Sequence, residues 1–327
     1  MLVINNPESE QTKRKGKSKM DINYKKKSDK RMSLKEAVST FMFDGCSVGF
    51  AGMAGDQVVA PAHEMIRQKI GNLTLIGDSP CDPGDLACGA GLVKRMEIAW
   101  CGYAVAGMGP NFRRCYEKGI PNKIDINDHS NFGIGLRYMA GAMGLPFMPT
   151  KSFLGSSLPD YNKDVKIIDD PYGTGPIALV PAINPDVAFI HVSRADINGN
   201  AQIFGFTANA ENLARCAKHT VITCERIVST KEIQGAPNLT CIPQYAVDAV
   251  VEVPFGSHPW NFPYEYQYDM PFHMDMQKAF KTREGFLAWA DEWIYGVEDW
   301  EGYLKKVGYD RLHKLVEIER KFQRCIF

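Results

Sequence analysis

From Ser33 onward the chain alternates short apolar runs with amphipathic helical stretches, joined by turns of a few residues. That alternation leaves few folds open. Strand, helix and strand in succession imply an α/β fold, a mostly parallel open sheet with helices covering both faces. SLKEAVSTFMFDG sets the pattern: Ser33 and Glu36 have capping-box spacing, Leu34, Ala37, Val38 and Phe41 share one helical face, and Gly45 ends the helix. A strand in CSVGFAGM follows, then a helix in APAHEMIRQKIGN and strands in NLTLIGDS and LVKRMEIAW. NFRRCYEKG reads as a helix, NKIDIND as a strand, FGIGLRYMAGAMG as a long helix and LPFMPTKSF as a strand. IALVPAI (177–183) and DVAFIHV (186–192) read as buried neighbouring strands. NAENLARCAKH is a helix, TVITCERIV a strand, and AVDAVVEVPFGSHP a strand entering an aromatic loop, WNFPYEYQYDMPF. TREGFLAWADEWIYG and WEGYLKKVGYDRLHKLVEIERKF read as two amphipathic helices, a C-terminal extension over about 281–323.

Composition is useful here for what it excludes. No apolar run approaches the ~20 residues of a membrane span, and nothing near the start has the form of a secretory signal. The nine cysteines are scattered without a C-x-x-C pair, which suits free thiols in a reducing cytoplasm better than a disulfide or zinc framework. The zero net charge hides an asymmetry: residues 1–31 carry ten Lys/Arg against four acids. That head is too poor in large apolar residues to offset the entropy of ordering, so 1–31 reads as a disordered basic extension and 32–327 as the folded domain. A basic tail can touch nucleic acid or anionic lipid, but a solvated extension is the simpler reading, with no nucleic-acid or membrane partner.

Residues 44–56, DGCSVGFAGMAGD, raise the question of function. A strand entering a Gly-rich turn before a helix is how α/β proteins make anion sites. The glycines at 45, 49, 52 and 55 contain no G-x-G, so the dinucleotide fingerprint fails, although Asp78 in LIGDS sits about where a ribose ligand would. No G-K-[ST] follows a Gly-rich stretch, so a Walker loop is absent, and no histidine pair has metal-ligand spacing. Asp128 and His129, just before a helix, have the chemistry to act on a substrate, although Asp128 or Ser130 also suits a plain helix cap. His258 lies in a loop rimmed by Trp260, Phe262, Tyr264 and Tyr266, a composition that suits a cleft, an interface between subunits or an ordinary loop.

Several of these segments in order, among them HEMIRQKIGNLTLIG, MAGAMGLPFMP, NPDVAFIHVSRADINGNAQI, AKHTVITCERIVS and AVDAVVEVPFGSHP, resemble the α subunit of family I CoA-transferases, of the glutaconate type, over roughly 32–315. In that family the first helix leads to D-G, an apolar triplet and a G-G-F turn beside the acyl and CoA groups. Asp44, Gly45, Val48 and Gly52 match; Gly49 interrupts the triplet, Ala51 stands for the first turn glycine and Met53 for the Phe. The resemblance implies Gly52, Met53 and Ala54 as acyl- or CoA-contacting residues, with Asp78 and Ser79 on the facing wall. The family's nucleophilic glutamate lies in a Ser-Glu-Asn-Gly-like turn of the β half, and no such turn exists here. The resemblance therefore implies a homologous β subunit that brings the glutamate in trans, with coenzyme A as substrate and neither a metal nor a bound cofactor. The expected reaction moves CoA from a short acyl-CoA, of a dicarboxylic or 3-oxo acid, to a free carboxylate. The resemblance also implies an alternative, a ring-opening acyl-CoA hydrolase of the steroid-degradation type, whose acidic residue would correspond to Asp128. Two readings come from other classes: a nicotinamide dehydrogenase and a non-catalytic assembly protein.

Overall fold

Helix formation begins where the capping box places it. In the computed structural model, which describes residues 29–53, 55–103 and 107–324, the Ser33 hydroxyl accepts from the Glu36 N–H at 3.2 Å and the Ser33 N–H donates to the Glu36 carboxylate at 2.9 Å. Helix α1 (Leu34–Phe41) leads into β1 (Ser47–Phe50), α2 (Val59–Arg67), β2 (Leu73–Gly77), α3 (Cys81–Ala90) and β3 (Val93–Ile98). A short ribbon of β4 (Gly102–Tyr103) and β5 (Gly107–Met108) precedes α4 (Pro110–Lys118), β6 (Asp125–Asp128) and α5 (Asn131–Ala142). The chain then builds a small antiparallel sheet from β7 (Phe147–Thr150), β8 (Lys166–Asp169) and β9 (Pro176–Pro181), with the one-turn α6 (Leu158–Tyr161) inserted. It returns through β10 (Val187–Asp196), β11 (Ala201–Gln202), α7 (Ala210–Cys216), β12 (His219–Val228), α8 (Thr230–Gly235), β13 (Thr240–Ile242) and β14 (Ala249–Glu252). Four helices close it: α9 (Met270–Phe280), α10 (Arg283–Ala290), α11 (Trp300–Val307) and α12 (Tyr309–Arg324).

Among the described residues, seven strands pair in parallel in the order β14-β12-β10-β1-β2-β3-β6, and β11 and β13 extend the end of β10 antiparallel. Side chains alternate across this sheet. Val48, Leu75, Phe189, Val221 and Val251 face α1 to α4 and the C-terminal helices, while Ile76, Ala188, Ile190, Ile222 and Val250 face α5 and α7. Burial of each large apolar side chain stabilises by roughly 1.5–3 kcal/mol before entropy is counted. The β14 edge is covered by the incoming chain: Met32 N–H donates to Val250 O and Val250 N–H to Lys30 O. Lys30 and Arg31 thus belong to the folded body, and the rest of the expected basic extension, residues 1–28, lies outside the described residues. All eight described cysteines are free thiols, and no helix among the described residues is long and apolar enough to cross a membrane.

One expectation is corrected, and other features go beyond what the sequence suggested. IALVPAI does not neighbour DVAFIHV: β9 pairs with β7 and β8 in the separate sheet. Only five residues, 182–186, separate β9 from β10, and a parallel crossover needs a dozen or more. Helix α3 was hidden because CDPGDLACGA has no apolar stripe; it is buried almost all round. The C-terminal helices are present as expected and pack against the body. Trp300 and Tyr303 stack at 4.4 Å, and both meet the His63 ring of α2 edge-on. His258 is enclosed there, 2.7 Å from the Tyr303 hydroxyl and 3.2 Å from Asp269, and Trp260, Phe262 and Tyr266 are core residues rather than cleft walls.

Contact between α3 and α10 is tight at Gly89, where an added Cβ would stand 2.5 Å from the Phe286 ring and 2.8 Å from Asn111. Gly89→Ala is expected to lower the denaturant midpoint by the equivalent of about 1–3 kcal/mol, the usual cost of overpacking. A midpoint equal to wild type would mean that Phe286 gives way freely.

Candidate active site

In the main sheet, β1, β2, β3 and β6 progress to one side while β10, β12 and β14 extend to the other. The order therefore reverses between β1 and β10, and in open α/β sheets ligands bind beyond the carboxyl ends of the strands at such a point. The turn after β1 stands there. Gly52 has φ +114°, and a Cβ on it would lie 2.6 Å from Asp56 O, so the position excludes any side chain. Asp56 closes the turn by accepting from Met53 N–H at 3.3 Å. Gln57 then ties the turn to the start of α3: its amide donates to Ser79 O at 3.2 Å and its oxygen accepts from Cys81 N–H at 3.0 Å. The N–H groups of Val59 and Ala60, which would cradle an anion at the start of α2, both donate to Gly256 O. The helix N-terminus is occupied by protein, and the segment is not a phosphate loop.

Beside the turn is a cleft of about 300 Å³. Met53 and Asp78 come to it from the ends of β1 and β2; Asn131, Phe132, Gly135, Leu136 and Met139 from α5; and Phe206, Ala208, Asn209 and Asn212 from the approach to α7 and its first turn. Phe132 and Phe206 are more than half exposed. Asp78 is buried and held in place: Oδ2 accepts from Asn209 Nδ2 at 3.0 Å and Oδ1 from Ser79 N–H at 2.9 Å. Burial raises the Asp78 carboxyl above its ordinary range. Burial, reinforced by the charge of Asp78, pushes the Asp56 carboxyl up to about 7, although the Met53 N–H opposes the shift. A larger cavity of about 710 Å³ lies elsewhere, between Met32–Lys35, Val251–Phe255 and the start of α11, and none of the sequence-predicted residues lines it.

Of those residues, Met53 and Asp78 meet at the cleft. Gly52 shapes the turn behind it, Ser79 is buried without lining it, and Ala54 lies outside the described residues. Asp128 and His129 are not brought to the cleft. Asp128 is exposed, whereas the His129 ring is enclosed, with Nε2 2.7 Å from Arg137 Nη1 and Asn162 Nδ2 beside it. Burial lowers the His129 pKa, opposed by its contact with Glu97. Ser130 caps α5 by accepting from Gly133 N–H at 2.9 Å. The residue that spacing missed is Asn209. It stands at the N-cap of α7 but makes no cap bond; its amide serves Asp78, and its oxygen would be 2.9 Å from a Cβ at Gly135, which lets α5 approach.

No glutamate of the described residues lines the cleft, and five on the strands and helices around the sheet are engaged elsewhere. Glu36 caps α1, Glu64 pairs with Arg67, Glu97 with Arg137 and Arg95, Glu225 with His191, and Glu252 accepts from Ile227 N–H. Among the described residues there is no group of three or more His, Cys, Asp or Glu that could hold a metal ion.

The family profile "Coenzyme A transferase" matches residues 31–253, which span the whole parallel sheet. The chain belongs to the coenzyme A transferase family. It is 35% identical over 276 residues to the A-type subunit of 3-oxoadipate CoA-transferase from Pseudomonas knackmussii, covering 84% of this chain and 97% of that one. It is 34% identical over 304 residues to the A-type subunit of glutaconate CoA-transferase from Acidaminococcus fermentans, covering 88% and 94%. The crystal structure of that transferase aligns with a TM-score of 0.83, over 88% of this chain and 95% of the other. A cholesterol ring-cleaving hydrolase subunit of Mycobacterium tuberculosis is more distant, at 28% over 295 residues, 86% of this chain and 99% of that subunit. The fold and the family expected from the ordered motifs thus hold, and the chain is an A-type CoA-transferase subunit.

Proposed function

We propose that this chain is the α subunit of a heteromeric enzyme, soluble in the cytoplasm, that moves CoA between a short acyl-CoA and a free carboxylate, with its glutamate nucleophile on a homologous β subunit. The observation that carries the reading is a cleft at the sheet's switch point with apolar walls, a fixed carboxyl and no glutamate. In this reading the partner's glutamate oxygen attacks the acyl-CoA carbonyl and CoA leaves as thiolate, giving an acyl-glutamyl anhydride. The thiolate then attacks the glutamyl carbonyl, releasing the acyl carboxylate and forming a glutamyl-CoA thioester. The acceptor carboxylate reverses both steps, so the glutamate is regenerated and atoms balance. This chain's part is to hold the acyl group against the Gly52–Met53 turn and keep water away. The hydrolase alternative drew on Asp128, which is exposed and outside the cleft.

The test is an acyl-exchange assay on the chain alone and with its co-expressed partner, supplying acyl-CoA with and without acetate. Acetyl-CoA formed only with both partner and acetate is the expected result. Free CoA released without acetate would instead favour hydrolysis, and activity of the lone chain would contradict a nucleophile in trans.

A further inference from the structure

The cleft's charge pattern says what kind of acyl group it accepts. Its apolar wall is Met53, Phe132, Leu136, Met139 and Phe206, and its polar groups are the neutral amides Asn131, Asn209 and Asn212 with the carboxyl of Asp78. No Lys, Arg or His of the described residues lines it. The cations on the neighbouring helices are committed elsewhere. Arg137 of α5 points to the other side of its helix, donating to Glu97 at 2.7 Å and to Pro181 O at 3.1 Å. Arg215, on the second turn of α7, pairs with Glu211. A second carboxyl, Asp56, closes the turn that carries Met53 and feels the charge of Asp78.

We infer that the cleft selects a short acyl chain with an uncharged end, and that Asp78 excludes dicarboxylic acyl groups. This rests on the reading of the cleft as the acyl site. A terminal carboxylate entering here would lose water, find amides but no cation, and lie against the carboxyl of Asp78. Both the desolvation and the like-charge contact disfavour it. An uncharged chain meets none of these costs and gains from contact with methionine and phenylalanine side chains, the former adaptable to small differences of shape. A keto oxygen is also compatible, since the asparagine amides can donate to it. Selection of this kind comes from a repulsive element as much as from attraction. It separates this chain from the glutaconate and 3-oxoadipate transferases, whose named substrates are dicarboxylates.

The test compares valeryl-CoA with glutaryl-CoA in the assembled two-subunit enzyme, with acetate as acceptor. The two acyl chains have equal carbon number and differ in a terminal methyl against a terminal carboxylate. Valeryl-CoA is expected to have kcat/KM on the order of 100-fold higher. Asp78→Asn keeps an oxygen for Asn209 and is expected to shrink that ratio by about tenfold or more. Phe132→Arg, on the exposed rim, is expected to raise glutaryl-CoA turnover by about tenfold without impairing folding. Transfer in which glutaryl-CoA equals or exceeds valeryl-CoA would overturn the inference, leave the transferase reading intact and place a compensating cation on the partner. Absence of acetate-dependent transfer with any acyl-CoA would overturn the transferase reading itself, and the inference with it.

Discussion

Gly52→Ala is expected to reduce kcat/KM of the assembled enzyme by at least about 100-fold, the effect of displacing a reacting group by roughly 1 Å. The cause is local and steric. At φ +114° an L-residue is strained whatever space surrounds it, and here there is none, since the new Cβ would sit 2.6 Å from Asp56 O. Either the Met53–Asp56 hydrogen bond opens or the backbone rotates, and both move Met53, a wall of the cleft. Gly45 supplies the control. It has φ +87° but nothing within 4 Å of its would-be Cβ, so Gly45→Ala carries backbone strain of about 1–2 kcal/mol without touching the cleft. Its melting temperature should fall while kcat/KM stays near wild type. A Gly52→Ala enzyme with normal turnover would remove the turn from the acyl site.

Glu97→Ala should be the most destabilising of these changes, by about 3–5 kcal/mol in denaturant unfolding, because it strands a buried guanidinium. Glu97 Oε2 accepts from Arg137 Nη1 and Asn127 Nδ2, and Oε1 accepts from Arg95 Nε at 2.6 Å, so β3, β6 and α5 are tied through one carboxylate. Burial alone would raise its pKa, but His129, Arg137 and Arg95 outweigh burial and hold it well below the usual range. Asp269 behaves alike: burial is outweighed by His258 and Arg311. A carboxyl with a depressed folded-state pKa contributes stability above its unfolded pKa of about 4 and loses it as pH falls toward the folded value. Unfolding midpoints should therefore drop steeply below about pH 4.5, and Glu97→Gln should flatten that limb. Asp56 has the opposite sign, its raised pKa making a contribution that is lost between about pH 4 and 7. An unchanged acid limb in Glu97→Gln would show that the network is not what holds α5 to the sheet.

How much of the site was legible depends on how local its causes are. Asp78 follows its strand directly and stood out from the strand-turn pattern, whereas Met53 was implied by the family resemblance. Asp128 and His129 were adjacent candidates, yet successive residues at a strand end point to opposite sides, and one is exposed while the other is enclosed. Asn209 carried no signal, because an asparagine before a helix reads as an ordinary cap.

Capping, hydrophobic period and turn chemistry act within a few residues of one another. For that reason the parallel α/β sheet, the start of its first helix and the family could all be read along the chain. The remaining features depend on segments far apart in sequence. α3 is a helix because it is enclosed, β9 pairs where a five-residue link lets it, and Asp78 meets Asn209 across 131 positions of chain. The cleft itself forms where the strand order reverses, and that reversal belongs to the assembled sheet rather than to any segment in it.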